Sequence, residues 1–114
     1  MKDQQCTNVT LLKKLNSLIY CLTNLATFIT DPVLRRKIRK CRNTLRIEAD
    51  ELELTLLKEQ QDELTKAIKA VEELTKEADE AAKDIDKVAN TINKAAKTVQ
   101  QVEKYIDIIA GVVA

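Results

Sequence analysis

The sequence has no histidine and no tryptophan, and only one glycine (Gly111) and one proline (Pro32) in 114 residues. Each shortage removes a class of chemistry. Without histidine there is no Ser-His-Asp or Cys-His catalysis and no histidine-ligated metal. The carboxylate–histidine di-iron site of many four-helix bundles is excluded with them. One glycine cannot build a P-loop or a dinucleotide-binding loop, which need several. The aromatics are Tyr20, Phe28 and Tyr105, so the core must be aliphatic, and both tyrosines are expected to be half-buried with the hydroxyl in water.

Cysteines stand at 6, 21 and 41. The count is odd and no pair has zinc-knuckle or redox spacing, so free thiols in a reducing cytoplasm are expected. Cys41 falls in line with Leu34, Ile38 and Leu45 and reads as a small core residue. Long apolar runs are also scarce. Leu15 to Thr30 is uncharged but interrupted by Asn16, Ser17, Thr23, Asn24 and Thr27. Ile106 to Ala114 falls far short of the roughly 20 residues of a membrane span. Cytoplasmic localisation is therefore expected.

What is abundant is Leu, Ala, Lys and Glu, the composition of an almost wholly helical chain. Leu11, Leu15, Leu18, Leu22, Leu25 and Ile29 step by four and three, a packing seam widened by Leu12, Ile19 and Ala26. It predicts a first helix over about 7–30. Thr30-Asp31-Pro32 punctuates the chain, because proline disfavours helix before it and suits the first turn after it, where Thr30 or Asp31 can cap. A second helix over about 32–56 carries Leu34, Ile38, Cys41, Leu45, Ala49, Leu52 and Leu56. The two should form an antiparallel hairpin.

From Leu57 an apolar residue recurs every seventh position to Val113, through Leu64, Val71, Ala78, Ile85, Ile92, Val99 and Ile106. Taking these as position a of a heptad, position d adds Ala67, Leu74, Ala81, Val88, Ala95, Val102 and Ile109. Position e adds Ile68, Ala82, Ala89 and Ala96, and lysine dominates the outward position f. This stripe is out of phase with the second helix, so a kink or turn is expected within 47–62, with Asp50–Glu53 or Asp62 as capping candidates. Residues 57–111 read as one amphipathic helix of about 80 Å, with a break near Ala78-Asp79 as the alternative. Glu72–Lys76 and Asp79–Lys83 have the spacing of supporting i,i+4 pairs.

Charge is unevenly spread. Residues 1–46 carry ten Lys/Arg against two acids, and residues 47–114 carry nine Lys against sixteen acids. The basic run Arg35, Arg36, Lys37, Arg39, Lys40, Arg42 and Arg46 is the candidate anion-binding set. Clustered Lys/Arg neutralise phosphates, and arginine suits bidentate contacts. The acidic run Glu48, Asp50, Glu51 and Glu53 reads as helix-capping and solubilising charge. The Ala/Lys/Val composition of residues 81–104 resembles that of granule-coating, apolipoprotein-like and chemoreceptor-like helices, a likeness that carries no functional residue across.

The expected fold is all-α: a helical hairpin followed by a long heptad helix, packed as a helical bundle or coiled coil and oligomeric. The expected function is that of a non-enzymatic interaction or assembly protein without cofactors, metal or small-molecule substrate. Its interface stripe is Leu57, Leu64, Val71, Leu74, Ile85, Val88, Ile92, Val99, Val102 and Ile106, buried against a second copy or another helical protein. Antiparallel packing should set the basic second helix beside acidic segments such as 72–86. The alternatives are a nucleic-acid-binding module using the basic run and a helix that lies on an anionic membrane surface.

Overall fold

The computed structural model describes residues 7–54 and 59–111. They form four helices and no strand: α1 (Asn8–Phe28), α2 (Pro32–Glu53), α3 (Gln61–Lys83) and α4 (Val88–Ala110), with a 3-10 turn at Ile85–Lys87 between the last two. The caps explain the boundaries. Thr7 accepts from the Thr10 N–H at the start of α1, and Asp31 accepts from Val33 and Leu34 at the start of α2, with Pro32 in the first turn. Gly111, in the left-handed conformation at φ 76°, ends α4. Asp50 and Glu53 lie inside α2 and cap nothing. Gln60, not Asp62, holds the cap position of α3, and Asp62 sits in its first turn.

The expected single helix over 57–111 is divided. The break falls at Asp84, whose extended backbone (φ −145°, ψ 99°) ends α3 and whose carboxylate accepts from the Asp86 N–H. Ala78 stays buried in mid-helix, so the 78–79 break does not occur. The reason is geometric. An uninterrupted helix would run about 80 Å, whereas the molecule is 41 × 34 × 18 Å. Folding back lets α4 cover the stripe of α3. The heptad crosses the turn in phase because each half needs its own apolar seam.

Helix α1 packs on α2 and α3, and α4 packs on the same two, so α1 and α4 occupy opposite corners, as do α2 and α3. The α1 and α3 N-termini lie together, where the Asn8 N–H donates to Glu59, and Lys14 of α1 pairs with Glu72 of α3 at 2.7 Å. These two helices are therefore parallel neighbours, and α2 and α4 are the other parallel pair. The core is aliphatic, as composition demands. Leu11, Leu15, Leu18, Leu22 and Leu25 of α1 are fully buried against Ile38, Leu45 and Leu52 of α2, and the seams of α3 and α4 complete it. Tyr105 is fully buried and Tyr20 is 76% exposed, so neither is half-buried.

Candidate interaction surface

The heptad stripe is largely consumed inside the chain. Leu64, Val71, Leu74, Val88, Val102 and Ile106 are buried in the bundle core. Leu57 lies outside the described residues. Ile85 falls in the 3-10 turn and is 52% exposed. Ile92 and Val99 are only half-covered. Among the described residues the uncovered part of the predicted stripe is therefore Ile85 in the turn and one short stretch of α4.

The inner face of α4 is rotated by one column from the one expected. Thr91, Thr98 and Tyr105, at position g, are buried, whereas Ala89, Ala96 and Glu103, at position e, are exposed. Threonine tolerates this because its hydroxyl can return to the helix. Thr91 donates to the Lys87 carbonyl at 3.0 Å and Thr98 to the Lys94 carbonyl at 2.9 Å. A groove is left between α2 and α4. It has a volume of about 330 Å³ and is lined by Lys37, Lys40, Cys41, Thr44, Ile92, Ala96, Val99 and Gln100. Its floor is apolar, and two lysines stand on its rim. Cys41 lies half-buried in that floor, its thiol pushed up by burial, rather than deep in the core.

The lower end of the same seam is acidic. Glu48 of α2 is 3% exposed, and neither carboxylate oxygen has a hydrogen-bond partner. Burial raises its pKa to about 8, and Glu103, Glu51 and Asp107 push it the same way. Glu48 is the feature that the sequence concealed. It stands in an acidic run that reads as surface charge, and only the seventh-residue spacing from Cys41 places it on the packed side. Among the described residues no group of three or more Cys, Asp or Glu side chains is placed to hold a metal ion.

The basic run occupies the outward half of α2. Arg35 turns back to donate from Nε to the Ile29 carbonyl at 2.9 Å, closing the C-terminus of α1, and Arg42 donates to the Asn43 side chain. Arg36, Lys37, Arg39, Lys40 and Arg46 are exposed. None of the seven forms an ion pair among the described residues. The expected neutralisation by residues 72–86 does not occur, because α2 and α3 sit at opposite corners. Those acids find other cations: Lys14 pairs with Glu72, Lys94 with Glu77 and Lys87 with Glu80. The intrahelical Glu72–Lys76 and Asp79–Lys83 pairs are not among these contacts.

No helix among the described residues is long and apolar enough to cross a membrane. No protein-family model, curated protein or solved structure matches this chain.

Proposed function

We propose that this protein is a non-enzymatic interaction module acting through the face formed by α2 and α4, with a helical protein surface as its partner. The observation that carries the reading is the open seam. Cys41, Ile92, Ala96 and Val99 leave an apolar groove unfilled between α2 and α4, with Lys37 and Lys40 on its rim. The mechanism is burial of that groove under a partner helix bearing apolar side chains and acids. Apolar burial supplies affinity, and the charges select register and partner.

In-cell photocrosslinking tests it. A photoreactive residue replacing Ala96 should give a discrete protein adduct, and one replacing Lys13 on the outer side of α1 should not. Equal adducts from both positions, or none from Ala96, would sink the reading.

A second reading rests on a different observation: among the described residues no acid pairs with the arginine ridge Arg35, Arg36, Arg39 and Arg46. Such a ridge can track a nucleic-acid phosphate backbone by counterion release. A salt-dependent mobility shift lost in Arg35→Glu/Arg36→Glu/Arg39→Glu supports it. No shift at low salt removes it. Pelleting with anionic vesicles in place of a shift assigns the ridge to lipid phosphate.

A further inference from the structure

All five arginines of the chain stand within residues 35–46, whereas its fourteen lysines are spread from residue 2 to residue 104. Lysine suffices for solubility, and the planar fork of arginine suits phosphate oxygens. Arg35, Arg39, Arg42 and Arg46 step by four, three and four, so they share one row of α2. Lys37, Lys40 and Thr44 line the groove toward α4. The arginine row is on the other flank, beside α1, where Arg35 reaches the Ile29 carbonyl. Helix α1 carries no acid, and between residues 4 and 47 the chain has one, Asp31. Its carboxylate is taken up at the turn by the Val33 and Leu34 N–H groups.

The basic run contains no aromatic residue, but the fold supplies one from α1. Lys14 and Ser17 meet Glu72 and Thr75, so that flank of α1 belongs to α3. Ile19 and Ala26, buried on the opposite flank, meet α2. Tyr20 projects between the two flanks, 76% exposed. Asn16 and Asn24, four residues to either side of it, are exposed in the same row. Tyr20 lies nine residues before Ile29, and Arg39 and Arg42 lie seven and ten residues after Pro32. At about 1.5 Å per residue, all three stand roughly 10–15 Å from the turn.

We infer that a single strand of nucleic acid lies along the outer face of α1 and α2, its phosphates on Arg39 and Arg46 and a base stacked on Tyr20. The inference rests on the phosphate reading of the arginine ridge and names the kind of strand. A duplex keeps its bases stacked inside and would leave Tyr20 idle, whereas an unpaired base offers its face to the ring. The amides of Asn16 and Asn24 each carry donors and an acceptor, as base edges do. The basic row ends at Asp50, one turn beyond Arg46, so the footprint is short.

The test titrates the full chain, at low salt, into labelled oligo-deoxythymidine and into its duplex with oligo-deoxyadenosine, read by fluorescence anisotropy. The single strand should bind more tightly than the duplex. Tyr20→Ala should weaken single-strand binding roughly tenfold and leave duplex binding unchanged, and Tyr20→Phe, which keeps the ring, should restore it. Arg39→Gln/Arg46→Gln should weaken both and lower the single-strand salt slope by about 0.7 per arginine lost. The chain has no tryptophan, and Tyr105 is buried. Oligo-deoxythymidine should therefore quench the tyrosine emission of wild type and not that of Tyr20→Phe. Circular dichroism checks that each variant keeps its helices. Equal binding of both probes, or a Tyr20→Ala affinity equal to wild type, overturns the single-strand inference while sparing the phosphate reading. Binding of neither probe overturns both, and so does binding of anionic vesicles alone.

Discussion

The Tyr105 hydroxyl donates to the Asn8 side-chain oxygen inside the bundle, a contact between residues 97 apart in sequence. Both side chains are fully buried, and the backbone of Gln60 lies close enough to act on the phenol. One hydroxyl thus ties the end of α4 to the start of α1, beside the start of α3. Those ends are where a bundle with two parallel helix pairs would otherwise fray. Tyr105→Phe removes the donor, keeps the ring and leaves a buried acceptor short of a partner. We expect a loss of about 1–2 kcal/mol in urea unfolding, with helicity unchanged. A variant as stable as wild type would show that the contact contributes nothing.

Glu48 makes stability depend on pH in a direction unusual for a carboxylate. Its folded pKa is raised to about 8, with burial as the first cause and repulsion from Glu103, Glu51 and Asp107 adding to it. The unfolded chain titrates in the ordinary carboxylate range. Between the two values the folded state holds the proton that the unfolded state has released, so stability falls as pH rises. The contribution is whole below the unfolded value and is lost as pH climbs through about 8. Glu48→Gln cannot ionise. Its melting profile should stay flat from pH 5 to 9 where wild type declines, and it should exceed wild type by on the order of 2–4 kcal/mol at the alkaline end. Parallel profiles would mean that the carboxylate is relaxed into water.

The two turns show how much of this architecture the residues announce. Thr30-Asp31-Pro32 was readable because proline forbids continuation and aspartate caps, and α2 starts there. Asp84 was not readable. It stands in Lys83-Asp84-Ile85-Asp86 with neither glycine nor proline, and the heptad passes through it without a slip. What breaks the helix is tertiary: the stripe can be buried only if the chain folds back. The same limit hid the turned face of α4, since buried Thr91 and Thr98 look polar until their hydroxyls are seen to bond their own helix. The seams of α1 and α3 were legible because their apolar residues recur at helical spacing among polar ones, mostly uncharged in α1 and mostly charged in α3. The basic run was legible as a run, but its lack of ion pairs among the described residues was not, because that depends on which corners α2 and α3 occupy.

Capping variants distinguish these turns. Asp31→Ala removes two accepted N–H bonds, at 2.8 and 3.3 Å, and should cost about 1 kcal/mol. Asp84→Ala removes one, at 3.2 Å, and places the best helix former at the break. It should cost about 0.5–1 kcal/mol without opening the bundle, because the buried seams of α3 and α4 far outweigh one cap. Thermal melts give the two costs. Small-angle scattering checks the shape: a particle lengthened well beyond 41 Å in Asp84→Ala would show that the cap, not the core, holds the fold-back.

The alanines set how closely α3 and α4 approach. Ala67, Ala78, Ala81 and Ala95 are almost wholly buried, whereas Ala82 is half-covered and Ala89 and Ala96 are exposed. Of the neighbouring alanines 95 and 96, one fills the core and the other borders the groove. Close-packed interiors leave no room for three added carbons, so Ala95→Leu should force the helices apart and cost about 1–3 kcal/mol. Ala96→Leu adds the same volume to open space beside Val99 and should leave the melting temperature of the isolated chain nearly unchanged. The pair is informative because composition, helix propensity and sequence neighbourhood are almost identical. Only burial separates them, and equal destabilisation by both would place position 96 inside the bundle and close the groove.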